Sequence, residues 1–361
     1  MLTVSLPSGL ETARQYILAV LVGEFLGLPF RTEIQEKSDN VQISADDRVL
    51  TITDCFFKQA ANAWLQPKSL PNLPLEHWEL ADDLPTANVV SPSLPVIFGQ
   101  SYLTSEEKRL NLGLDIFGSA FFMLSRYEEA VISERDSHDR FPASASLAYQ
   151  ADFMHRPIVN EYVEILWTCM KQLWPQLERK PREFRMQLSH DVDIPFQYLF
   201  HSPIFLLRYM AADILKRHSP SKAVKTWINW MKVKRFNDMM ADPCYTFDAI
   251  MDISESHDLR SAFYFITDHS AGSIDGLYTI EHPEIRRLLR HIHARGHEIG
   301  LHPSYNTYRV PTQMAKEFEI LKQACESEGI EQNVWGGRQH FLRWETPTTF
   351  RNWEAAGLNY D

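Results

Sequence analysis

From residue 184 onward short runs rich in aromatic and aliphatic residues alternate with helical segments, and this rhythm constrains the fold more than any other feature of the chain. Strands are expected at 184–189, 261–266, 297–301 and 333–335, separated by helices at 245–257, 283–295 and 311–328 and followed by one at 347–356. Pro283 and Pro311 open their helices, where a missing amide costs nothing. Gly296, Gly329 and Gly357 stand just past the helix ends, where the backbone turns left-handed. Strand and helix at this spacing predict parallel βα units, closed as a barrel or open as a doubly wound sheet.

The remaining half reads differently, and 361 residues are enough for two domains. A helix is expected over 10–26, where Ile17, Leu18, Leu21 and Phe25 form one apolar stripe, with Gly27 at its end. Two short strands, 41–44 and 48–53, flank a tight turn, and the proline-rich stretch 65–94 predicts an irregular excursion before a strand at 96–99. Helices are expected at 105–134, on Leu112, Ile116, Ala120, Met123 and Tyr127, and at 159–173. The charged, proline-bounded segment 175–183 marks a boundary near Lys180. The expected organisation is a mixed α/β domain at 1–180 without recognisable chemistry and a βα domain at 181–361.

Charge and cysteine usage narrow the function. Net charge is −11, so the molecule repels phosphate backbones, and no nucleic-acid partner is expected. Cys55, Cys169, Cys244 and Cys325 lie too far apart for a zinc ribbon or a disulfide framework and are expected to be reduced core residues. The apolar run 16–23 lies between Arg14 and Glu24, with Glu11 where a secretory signal would be basic. Neither a signal nor a transmembrane segment is expected, and the expected compartment is the cytoplasm.

In a βα array the carboxyl ends of the strands converge, so polar residues there are the first candidates for chemistry. One cluster is Ser189-His190-Asp191-Val192-Asp193, whose D-x-D spacing lets one carboxylate bind a metal while the other stays free as a base. The other is 296–306, where His302 follows the third strand and Asn306 lies four residues on. An imidazole and an amide oxygen there can join Asp193 around a divalent cation. His297 opens the strand and is expected to face away as a packing group, and His291 and His293 share a solvated face with Arg286, Arg287 and Arg290. No phosphate-binding loop, dinucleotide fingerprint or nucleophile elbow is present.

With these motifs in place, residues 184–361 resemble the polysaccharide deacetylase family, carbohydrate esterases that share the chitooligosaccharide deacetylase homology domain and fold as a distorted (β/α) barrel. The stretch 245–250 leading into 261–265 looks like the family's helix and following strand, and 296–300 like the strand before its histidine motif. The resemblance implies that Asp191 is the general base, that Asp193 and His302 hold a divalent metal, zinc first, and that Arg338 in the 337–344 motif orients the catalytic aspartate. It further implies hydrolysis of N-acetyl groups on a carbohydrate.

Three departures matter. The family's second motif has a further histidine where this chain has Asn306, a weaker zinc ligand, so His340 is a candidate replacement and His190 another polar neighbour. No late strand with a general-acid histidine follows Gly357, so a barrel incomplete at its C-terminus is expected. A helical insertion at about 195–244 separates Asp193 from Tyr245, and within it residues 208–235 carry +7, eight Lys and Arg against Asp213. Two readings of that insertion stay open: a lid or docking surface for an acidic glycan or an anionic membrane, or a helix pair packed on the acidic remainder. The function likewise keeps alternatives, a catalytically inactive carbohydrate-binding homologue and a hydrolase of small non-peptide amides.

Overall fold

The computed structural model describes residues 1–36 and 38–361 and divides the chain into two units, Met1–Glu183 and Phe184–Asp361. In the first unit the strands are β1 (Leu2–Pro7), β2 (Phe30–Gln35), β3 (Asn40–Ala45), β4 (Arg48–Thr53), β5 (Glu76–Glu79), β6 (Ser93–Val96), β7 (Gly99–Glu106) and β8 (Arg109–Leu114). They form a mixed sheet in the order β2-β1-β3-β4-β8-β7 and a small β5–β6 pair. Alternation sets the buried face: Leu2, Val4 and Leu6, Val41 and Ile43, Leu50 and Ile52, and Leu110, Leu112 and Leu114 share one core. Helices Glu11–Leu18, which continues as π-helix over Ala19–Phe25, Ile116–Leu124 and Ile158–Leu173 complete that core.

The helix expected over 105–134 is corrected. Residues 99–114 form the β7–β8 hairpin, and helix begins only at Ile116, ending at Leu124 before a second short helix, Tyr127–Val131. Leu110, Leu112 and Leu114 obey a period of two, whereas Leu112, Ile116 and Ala120 fit a helical period, and the shared Leu112 joined the two patterns. Asp115 decides the boundary. Its Oδ1 accepts the Gly118 amide at 2.7 Å as an N-cap, and its Oδ2 accepts the amides of Cys55 and Phe56 at 2.8 and 2.7 Å. A cap of this kind stabilises a helix start by about 1 kcal/mol. Arg126, with φ of +54°, breaks the helix further on.

The second unit is built on parallel strands β9 (Leu188–Val192), β10 (Ser261–Phe265) and β11 (Glu298–Leu301), in the order β11-β10-β9. Single-residue parallel bridges from Leu301 to Gly337 and from Gly336 to Tyr360 extend them. The parallel lanes thus follow one another in chain order. Helices Phe247–Ser256, Pro283–Ala294, Pro311–Ser327 and Thr348–Ala356 fall between successive lanes. The architecture is mixed α/β, and the sheet does not close on itself among the described residues.

Two strand expectations change. The first strand is Leu188–Val192 rather than 184–189, because pairing places His190 beside Phe263 and Val192 beside the buried Phe265, while Phe184 is exposed. Asp191 therefore lies within the strand and Asp193 just beyond it. At 333–335 no strand forms, and the contact with β11 is carried by Gly336 and Gly337. A Cβ on Gly300 would overlap the Tyr264 ring, and one on Gly336 the Tyr360 ring.

The insertion forms helices Pro203–Leu215 and Pro220–Phe236. All four cysteines are free, with Cys169 and Cys325 buried and Cys55 and Cys244 half-buried. No described helix is long and apolar enough to cross a membrane.

Candidate metal centre

Three loops at the carboxyl ends of the lanes bring Asp193, His302 and His340 together, with one ligand atom of each within 4.8 Å of the others. His302 follows β11 directly, its amide donating to the Phe265 carbonyl of β10 at 2.8 Å. His340 hangs on the loop after Gly337, which is zipped to the His302 loop by hydrogen bonds that the amides of Arg338 and His340 donate to the carbonyls of Leu301 and Pro303, at 3.0 and 3.2 Å. Phe341 and Leu342, the next two residues, both have positive φ, 58° and 54°. For side chains other than glycine such backbone costs of order 1–2 kcal/mol each and persists only where surrounding bonds over-determine it.

Each imidazole is held by its Nδ1. His302 Nδ1 donates to the Arg338 carbonyl oxygen, which can only accept, so the proton of this ring is assigned to Nδ1. His340 Nδ1 donates to Asp275 Oδ1 at 3.0 Å. Burial pushes the Asp275 carboxyl up, but the His340 ring and the amides of Ala271 and Tyr305 outweigh it and hold it below the ordinary carboxylate value. Asp275 is thus an acceptor on all sides. Both rings then aim Nε2 at Asp193 Oδ1, at 3.2 Å from His302 and 3.5 Å from His340. The Asp193 side chain itself is half-exposed.

Two imidazole lone pairs and a carboxylate facing one point repel unless a cation or protons lie between them. The three groups could hold one divalent cation between them. A tetrahedral site with bonds of about 2.0 Å needs ligand atoms about 3.3 Å apart, which matches the two distances to Asp193. The donor set of two imidazole nitrogens and a carboxylate suits zinc, and both outer hydrogen bonds are of the kind that fix metal-ligating rings.

The other sequence candidates fall as follows. Asp191 shares the sheet face of its register partner Tyr264 and, beyond it, Gly300, and its exposed carboxylate has no hydrogen bond or ion pair among the described residues. His190 lies on the opposite face, 5.1 Å from the Phe263 ring and 3.1 Å from Ser261 Oγ, away from Asp191. Asn306 is engaged elsewhere: its Oδ1 accepts from Arg343 at 3.2 Å and its Nδ2 donates to the Ser270 carbonyl at 3.0 Å. The Arg338 guanidinium lies 3.8 Å from Asp361 and makes no bond to Asp191, while the carbonyl of the same residue orients His302. His297 is buried and accepts the Ser261 amide at Nδ1, a packing role.

Sequence reasoning missed Asp275 and Gly276. The only signal was an Asp-Gly pair in the loop after β10, the strand end between those of Asp193 and His302. Gly276 has φ of +84°, and a Cβ there would come within 2.8 Å of the Asp193 carbonyl oxygen. A cavity of roughly 270 Å³ opens beside the cluster, lined by Asp193 together with Ile194, Phe196, Phe200, Leu277 and Tyr278. Its walls are largely apolar, as in many small-molecule sites.

Comparison with known proteins bears on the other half of the chain. No curated protein matches the chain. Residues 2–175 match the model of a family described as a family of unknown function (DUF7033), a span that lies wholly within the first unit and outside the Asp193, His302 and His340 cluster.

Proposed function

We propose that Phe184–Asp361 is a metal-dependent hydrolase of the polysaccharide deacetylase type, a distorted (β/α) barrel that removes N-acetyl groups from a carbohydrate, acidic glycans included. The observation that carries this reading is the convergence of His302 Nε2 and His340 Nε2 on Asp193 Oδ1, each ring locked from behind by its Nδ1. A divalent cation, zinc first, held by these three groups would supply Lewis-acid polarisation of the scissile carbonyl. Asp191, exposed and unpaired on β9, takes the proton from the attacking water. Asp275 and the Arg338 carbonyl keep both rings in the tautomer that leaves Nε2 free. Apolar residues of the adjoining cavity exclude bulk water around the reacting amide.

Elemental analysis of purified wild type beside His302→Ala, His340→Ala and Asn306→Ala tests the reading. Near-stoichiometric metal in wild type and Asn306→Ala, lost in both histidine variants, is the expected result; no metal after supplementation overturns it. A second reading, a carbohydrate-binding homologue without catalysis, draws on the missing bond between Arg338 and Asp191. Stoichiometric metal with no hydrolysis across a panel of N-acetylated glycans and small N-acetyl amides would favour it.

A further inference from the structure

The basic insertion is not used by the metal centre, and its two helices present their surfaces in an unusual way. On Pro203–Leu215 the buried positions are Leu206 and Asp213, while Ile204, Leu207, Ile214 and Leu215 project outward, Leu207 at 60% and Leu215 at 73% exposure. On Pro220–Phe236 the buried positions are Ala223, Thr226 and Val233, while Val224, Trp227, Ile228 and Phe236 are exposed, Phe236 at 72%. A helix covering a soluble core turns its large apolar side chains inward and its small or polar ones out. Here Leu206 and Val233, with the half-buried Met210 and Trp230, pack on the core as expected, yet large apolar side chains also remain on the outward side, and exposed apolar residues gathered in this way mark an interaction surface.

The charges on the same helices are largely unspent. Arg217 pairs with Asp213 at 2.6 Å, and Lys234 donates to the Leu199 carbonyl at 2.6 Å. Arg208, Lys216, Lys222, Lys225, Lys232 and Arg235 are exposed and enter no ion pair among the described residues. Residues 208–235 carry +7 in a chain of −11, leaving −18 for the rest. An anionic surface therefore repels the remainder of the chain and attracts this segment alone.

We propose that the helix pair Pro203–Leu215 and Pro220–Phe236 docks this protein on an anionic lipid bilayer, with Leu207, Leu215, Trp227 and Ile228 entering the headgroup boundary and the lysines meeting lipid phosphates. Interleaved cations and large apolar side chains, with an exposed Trp, match a membrane interface, which offers negative charge and an apolar phase together. A polyanionic glycan supplies the charge but nothing for the leucines. A second copy docking symmetrically would set +7 against +7. Phe200 and His201 line the cavity beside Asp193, and Ser202 caps the first docking helix by accepting the Phe205 amide at 3.3 Å, so docking brings that cavity to the lipid surface. The proposal stands independently of the metal chemistry.

Flotation of the full chain with phosphatidylcholine vesicles, with and without a quarter of phosphatidylglycerol, tests it. Binding is expected only to the anionic vesicles and falls as salt rises from low to physiological strength. Replacing Lys222, Lys225 and Lys232 by Ala together is expected to weaken binding about a hundredfold at low salt. Combining Leu207→Asn, Leu215→Asn and Trp227→Gln is expected to weaken it while keeping the salt dependence. Asp193→Ala is expected to bind as wild type does, which separates this surface from the metal centre. Absence of flotation, equal binding to neutral vesicles, or full binding by the lysine variant overturns the proposal. Dextran sulfate binding as tight as vesicle binding and indifferent to the Leu/Trp substitutions would assign the surface to a polyanionic glycan instead. A lipid-free dimer in light scattering that Leu207→Asn dissolves would assign it to a second copy.

Discussion

Replacing Asp275 by Asn changes one atom and disturbs three hydrogen bonds. The native carboxylate accepts His340 Nδ1 at 3.0 Å and the Tyr305 amide at 2.7 Å on Oδ1, and the Ala271 amide at 2.7 Å on Oδ2. Only an acceptor on both sides satisfies this arrangement, and a carboxamide has one oxygen and one NH₂. If the oxygen keeps the His340 side, the NH₂ confronts the Ala271 amide, and a buried unsatisfied donor costs about 1–3 kcal/mol. If it turns round, His340 must accept at Nδ1 and carry its proton on Nε2, which removes the lone pair aimed at Asp193. Either way the ring loses its anionic support, a change that typically weakens metal affinity 10–100-fold, or about 1.4–2.7 kcal/mol. Zinc affinity measured in competition with a chromophoric chelator should fall by that factor. The metal-free protein should melt a few degrees lower, at roughly 2–4 °C per kcal/mol for a unit of this size. Wild-type zinc affinity in a variant whose metal-free melting point has dropped would refute the coupling of Asp275 to the centre through His340.

Three further outcomes are expected. Asp191→Asn should abolish hydrolysis of N-acetylated glycans while leaving zinc affinity nearly intact, and surviving turnover in a discontinuous acetate assay would remove Asp191 from the base role. Gly276→Ala should lower both the melting point and zinc affinity, because its Cβ would press on the Asp193 carbonyl from 2.8 Å; Gly272→Ala, also at positive φ but with nothing within 4 Å, should lower the melting point alone. In the first unit, burial and the neighbouring Asp54 push the Asp115 carboxyl from its ordinary value of 3.8 up to about 7. Between those values the folded state holds a proton the unfolded chain has lost, so this group's contribution to stability falls as pH rises through the window and is level above it. Urea unfolding of the full chain at pH 5 and pH 8 should show wild type losing more stability than Asp115→Asn, and identical losses would sink the assignment.

Much of the second unit was legible because its signals are local. Pro283 and Pro311 open helices and Gly296, Gly329 and Gly357 close them by backbone restrictions that act within a single turn. His302 was legible because a strand end predicts where a side chain is delivered. His340 was harder, since the chain from Gly336 to His340 touches its neighbours by single bridges and carries no strand pattern. Asp275 was invisible for a related reason: its position depends on the amides of Ala271 and Tyr305, a local turn and a distant loop that only the folded chain brings together. In the first unit the hairpin at 99–114 was hidden by Leu112, which serves two periodicities, and only the Asp115 cap separates them.

The groups around Asp193 come from four successive strand ends, one after each of β9, β10, β11 and Gly337. None of the pairs is close in sequence. A nascent or partly folded chain would have to close several long loops before it could present this ligand set, and the entropy of that closure makes early capture of a cation by all three ligands unfavourable. The centre is therefore a latecomer in assembly, and whatever free energy a bound ion contributes is added to the finished unit. On the proposed metal reading, removing a bound ion should then speed unfolding while leaving the folding rate almost untouched, a kinetic signature of a clasp fastened last.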